Sequence, residues 1–224
     1  MNDYRKSLNQ KQSELRQALL STNQHSHPIQ LFLSQHARLH AAEMALSEPW
    51  SFEDEVLEGL TGGQIRRIPP GIEHSIAWVL WHLARIEDVT MNLLVAGSPQ
   101  ILLEGNWLER LGVAVRHTGN AMTPEEVADL SNKIDVPALR AYRIAVGRRT
   151  RHIVKRLEPE DLKRKATGPR LQSLLDQGAV LPAARVLVDY WGKRNVAGLL
   201  LMPPTRHVIV HLNEALKIKK KILG

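Results

Sequence analysis

The sequence predicts an all-α protein, and three observations predict it. Alternating Val/Ile/Thr/Tyr runs closed by Asn-Gly or Asp-Gly turns, the marks of strands and hairpins, do not occur. Apolar residues instead recur every three or four positions over long stretches. Capping residues and Pro/Gly breakers bracket those stretches.

The first predicted helix runs from about Pro28 to Leu46, with Leu31, Gln35, Leu39 and Glu43 at four-residue steps and Pro49 closing it. Residues 1–27 read as an N-terminal arm, and residues 28–224 as a single domain, because no internal repeat or low-complexity linker divides them. A second helix follows Pro69-Pro70-Gly71 and reaches about Ala96, where Gly97-Ser98-Pro99 stops it. Trp78, His82, Ile86, Val89 and Leu93 form its buried stripe. Thr123-Pro124-Glu125-Glu126 is a capping box with proline at the first helical position, so a short helix starts there. Asp135 caps a long helix to about Leu157, with Leu139, Ile144, Val146 and Ile153 directed at the core. A further helix spans roughly Ala183 to Leu201, and the last begins at Pro203-Pro204-Thr205 and reaches Lys220.

Composition narrows the chemistry. The 224 residues are 43% hydrophobic, the ordinary globular range, and contain no cysteine, which excludes disulfides, thiolate-ligated metals and a cysteine nucleophile. A metal must therefore sit on His, Asp or Glu. The first residues lack the apolar core of a secretory signal, and no apolar stretch approaches the roughly 20 residues of a membrane span, so a cytoplasmic protein with no membrane partner is expected. The net charge of +7 is concentrated in Arg140–Arg170, which holds 11 Lys or Arg against Glu158, Glu160 and Asp161. Such a run is more often a solvated helix face than a nucleic-acid surface, and Tyr142 alone interleaves with it, where base stacking wants a series of aromatic residues.

Four of the 10 histidines form two i,i+4 pairs, His36/His40 on the first predicted helix and His207/His211 on the last. That spacing puts both rings on one helix face. His207 and His211 share a stripe with Val208, Leu212, Ala215 and Ile218, so they point inward, where an imidazole without a partner is costly. His82, in the stripe of the second helix, is the best third ligand, the alternative being a satisfied core histidine. His36 and His40 are expected to support that site from behind rather than to ligate. Arg85, one turn beyond His82, is a candidate for gripping an anionic substrate group, the alternative being a solvated arginine. Glu87 and Asp88 lie about 120° to 140° from His82 on the helical wheel and are assigned to packing or ion pairs. His74 is set aside as two turns distant, and His25, His27, His117 and His152 receive no role.

With these residues placed, the chain resembles the DinB/YfiT superfamily. EHSIAWVLWHLARIEDVTMNLLVAG is similar to that family's second bundle helix, whose histidine matches His82, and TRHVIVHLNEALKIK to its last helix, whose H-x-x-x-H matches His207 and His211. DYWGKRNVAGLLLMPP and QHARLHAAEM add to the likeness, which runs from about Pro28 onward and departs at Glu214, where the family often carries glutamine. The resemblance implies a bundle of four main helices holding one divalent ion, commonly nickel or zinc, on three histidines. It further implies a bacterial enzyme acting on a small-molecule substrate, either a transferase using a low-molecular-weight thiol such as bacillithiol or a hydrolase, often as a homodimer. Glu214 joins His36, His40 and Arg85 as a residue expected to support the ligands or the substrate, and no catalytic base is assigned. The alternatives are a basic helical module binding nucleic acid or another polyanion through Arg140–Arg170, and a non-catalytic bundle.

Overall fold

The computed structural model describes residues 3–21, 27–48 and 50–224, and among these the regular elements are all helical. The helices are α1 (Asp3–Leu20), α2 (Pro28–Leu39), α3 (Phe52–Leu57), α4 (Gly62–Arg66), α5 (Ile76–Asp88), α6 (Trp107–Leu111), α7 (Pro124–Lys133), α8 (Val136–Val154), α9 (Gly168–Asp176), α10 (Val186–Gly192), α11 (Val196–Leu201) and α12 (His207–Leu223). No helix among the described residues is long and apolar enough to cross a membrane.

Helix α5 is the axis of the fold. Its N-cap Ser75 accepts from the Trp78 amide, and every residue from Ile76 to Asp88 is buried, so a helix that reads as apolar on all sides is packed on all sides. It touches α8 along one flank and α12 along another, and Glu87 reaches α2. The chain then continues through a π-helical segment, Val89–Ala96, and stops at Gly97 with φ 70°. That left-handed backbone favours glycine, whereas the Arg170 guanidinium that a β-carbon would meet at 2.5 Å is the end of a flexible side chain and can shift. The N-caps expected at Thr123 and Asp135 are both formed, the former as a full capping box.

The core has two apolar clusters that meet on α5. One holds Ile76 to Ala84 of that helix with Phe52, Tyr142 and Leu212; the other begins at Ile86 and continues through Val89 and Leu94 to Phe32, Val154 and Leu199. Around their junction the buried polar side chains collect: His36, His40, Glu53, His82, Arg85, Glu87, Asp88 and Arg143. Buried polar groups are tolerated when hydrogen-bonded, and most of these are. Asp88 accepts from Arg85 (2.8 Å), Tyr142 (2.6 Å), Asn92 (2.8 Å) and the amides of Ile101 (2.9 Å) and Leu102 (3.0 Å). Arg143 pairs with Glu53 and also donates to the Leu39 carbonyl.

Four sequence expectations are corrected. Residues 3–20 are not a detached arm: α1 buries Leu8, Leu15 and Leu19 against the bundle, and Gln12 donates to Thr205 at 3.0 Å. The helix expected to reach Leu46 ends at Leu39, because His40 is extended and its carbonyl is taken by the Ser51 hydroxyl at 2.6 Å. The segment expected as one helix from Ala183 to Leu201 is broken into α10 and α11, where Asn195 caps α11 by accepting from the Gly198 amide. Finally, α12 starts at His207, preceded by a π-helical turn, Met202–Arg206, rather than at Pro203. Pro49, expected to close the first helix, lies outside the described residues.

Candidate metal centre

Three imidazoles converge between α5 and α12. His82 comes from the middle of α5, and His207 and His211 from the first two turns of α12. Ring centroids are 4.9 Å apart for His82 and His207, 5.0 Å for His82 and His211, and 4.5 Å for His207 and His211. One ring nitrogen from each lies within 4.8 Å of the others, a group that could hold a metal ion. The Nε2 atoms of His82 and His207 are 3.1 Å apart, close to the edge of about 3.3 Å that a tetrahedron with 2.0–2.1 Å metal–nitrogen bonds requires.

The partners behind the rings fix their protonation. His82 Nδ1 lies 2.6 Å from the Thr118 carbonyl, which can only accept, so the proton is on Nδ1 and Nε2 carries the lone pair. His211 Nδ1 donates to Glu214 Oε2 at 2.7 Å, which turns its Nε2 toward the other two rings. His207 Nδ1 is buried with no partner. Burial holds His82 down to about 4 and pushes His207 well below the usual imidazole range, with the neighbouring rings adding to the effect on His207. Neutral imidazoles are the form that ligates metal.

Glu214 reaches a second histidine. Its Oε1 accepts from His74 Nδ1 at 3.0 Å, and the hydrogen bonds from His211 and His74 pull its carboxyl down to about 2. His74 stacks on Trp78 at 3.7 Å, and Trp78 stacks on His82 at 4.9 Å, so the three rings form a continuous pile. His82 is 2% exposed, whereas His211, His74 and Glu214 keep 20%, 24% and 33% of their side chains exposed. The group is therefore walled by α5 and open to solvent on the side of Glu214.

A family model described as the DinB superfamily matches residues 45–213, well over half of the chain. The chain belongs to the DinB superfamily. The match includes His82, His207 and His211, and in this DinB-family chain they are the residues that the fold assembles. No curated protein matches the chain.

The other expected site residues are placed differently. Arg85 is fully buried and does not reach a rim: it donates to Asp88, Tyr142, Gln100 and the Arg116 carbonyl, which leaves nothing for a substrate. His36 and His40 do not support the three-histidine group; each Nε2 lies 2.8 Å from an oxygen of Glu87. The reading from sequence missed His74 and the Thr118 carbonyl. His74 was set aside on axial distance along an unbroken helix, but it precedes the Ser75 cap and folds back over Trp78. A backbone carbonyl leaves no signature in side-chain pattern.

Proposed function

We propose that this DinB-family protein is a metal-dependent enzyme in which His82, His207 and His211 hold one divalent ion, nickel or zinc, beside a position that a small-molecule substrate can enter. The convergence of three imidazoles, two of them oriented by Thr118 and Glu214, with one side open to water, carries the reading. Three nitrogen ligands leave a coordination position vacant, the arrangement of a catalytic rather than a closed structural site. A divalent ion there supplies Lewis acidity, lowering the pKa of a coordinated water or thiol toward neutrality.

The residues of the chain do the holding. Thr118 and Glu214 fix the orientation of two ligands, Trp78 excludes water from one face of His82, and Glu214, kept ionised by its two histidine partners, presents negative charge at the open side. Since the chain has no cysteine, a sulfur nucleophile must arrive as a substrate. We favour transfer of a low-molecular-weight thiol such as bacillithiol, with hydrolysis as the second reading, both carried from the family resemblance. The polyanion reading has less support. Arg140, Arg149 and Arg164 pair with Asp54, Glu104 and Asp161, while Arg148, Arg151 and Arg170 donate to backbone carbonyls.

Elemental analysis of untagged protein tests the site: a stoichiometric divalent metal, lost in His211→Ala, is expected. Protein that carries no metal and gains no thermal stability from nickel or zinc would refute the proposal. Incubating the loaded protein with a bacillithiol-type thiol and an electrophile, in parallel with ester and amide substrates, separates transferase from hydrolase.

A further inference from the structure

A second histidine pair is gathered on the opposite side of α5. His36 lies in the last turn of α2 and His40 is the extended residue that caps it, and their rings are 4.3 Å apart. Glu87 lies five residues beyond His82, which turns it about 140° round the helix away from the three-histidine group. Its two oxygens are divided between the rings, Oε1 to His36 Nε2 and Oε2 to His40 Nε2, each at 2.8 Å. The plan of the first group is thus echoed: an H-x-x-x-H pair, here from the last turn and the C-cap of α2, closed by a single side chain from α5. Here the pair lies before residue 45, outside the stretch that the family model matches.

We propose that His36, His40 and Glu87 form a second, enclosed site for a divalent transition-metal ion, distinct from the group at His82. The donor set is two imidazole nitrogens and a carboxylate with both oxygens turned inward, four donor atoms suited to zinc or a neighbouring first-row ion. All three side chains have no solvent exposure, so no position is left for substrate and the ion is structural.

Two observations ask for a cation. Among the described residues no Lys or Arg pairs with Glu87, and the buried guanidinium nearby, Arg143, is matched to Glu53. A carboxylate in a dry core whose only partners are two imidazoles is costly unless a positive charge balances it, and a bound ion supplies that charge. In addition, the Nδ1 atoms of both histidines are buried without partners, so neither ring has behind it the oxygen that His82 and His211 have. The cradle is also closed tightly: a β-carbon at Gly147 of α8 would come within 3.0 Å of the His40 ring and of Met44. Helix α8 lies so near His40 that any side chain at residue 147 would press on the imidazole.

Because the site is sealed, the ion must enter while the chain folds. The untagged full chain is unfolded with denaturant and chelator, refolded with cobalt(II) or zinc(II), desalted and counted for metal. Two ions per chain are expected in the wild type, one in His207→Ala/His211→Ala, and none when Glu87→Gln is added to that variant. Cobalt(II) bound in the double variant is expected to show visible d–d absorption that Glu87→Gln abolishes. A double variant that refolds without an ion overturns the proposal, as does an ion count that Glu87→Gln leaves unchanged. Should either variant fail to fold, refolded wild-type protein that keeps no ion after chelator treatment in the folded state overturns it, because the open His82 group is stripped by that treatment and the sealed group is not. The readout is independent of the first site, since an empty His82 group with a filled Glu87 group sinks only the functional proposal.

Discussion

Glu214 serves two imidazoles with one carboxylate, and its charge makes both hydrogen bonds strong. Glu214→Gln preserves the volume but removes the charge, so metal affinity at the three-histidine group is expected to fall about 10- to 100-fold. A competitive chelator titration reads this, and unchanged affinity would mean that Glu214 does not orient His211. Arg85 lies at the other extreme, with no substrate to meet. Arg85→Met strands Asp88 as a buried charge and is expected to cost about 3–5 kcal/mol in urea unfolding without altering the ligands directly. At this scale the sequence was legible where apolar neighbours flank a histidine, as at His82, and illegible where the partner is distant. His36 and His40 could be seen as a pair, but Glu87 was measured only against His82 on the helical wheel. The partner of the pair became visible only once α2 was laid beside α5.

Elements were most readable where capping chemistry and apolar period agree. Ser75 shows what a cap contributes in this fold: its oxygen accepts from the Trp78 amide at 2.9 Å, and its proton goes to Ser131, whose own hydroxyl is already donated to the Val127 carbonyl. Ser75→Ala removes both the cap and a link to α7, and a loss of about 1–2 kcal/mol is expected from denaturant midpoints, with metal content retained. Helix α1 escaped notice because its buried residues, Leu8, Leu15 and Leu19, make a narrow stripe in an otherwise polar segment. Such a stripe gains its meaning from the groove that receives it. The early end of α2 was equally hidden, since a Ser51 hydroxyl eleven residues downstream terminates it. Gln12→Ala should loosen the π-helical turn that Thr205 anchors ahead of His207, and faster amide exchange over Met202–Arg206 is the expected result.

Over the whole molecule, the buried histidines tie stability to acidity. Burial lowers His82 to about 4 and His40 to about 3, against about 6.5 for an exposed imidazole. Between those values the unfolded chain binds protons that the folded chain refuses, so acidification favours unfolding. Metal-stripped protein is expected to lose up to about 1.4 kcal/mol per pH unit for each such histidine as pH falls below about 6.5. The loss levels off for His82 near pH 4. Urea midpoints across pH 4–8 check this, and a flat profile would mean that the rings are already charged in the fold. His82 and His207, facing each other at 3.1 Å, stand 125 residues apart in the chain. On the proposed ligand set, a ribosome must travel past codon 211 before that ion has all three of its ligands, so a nascent chain that already holds α5 cannot yet be loaded there.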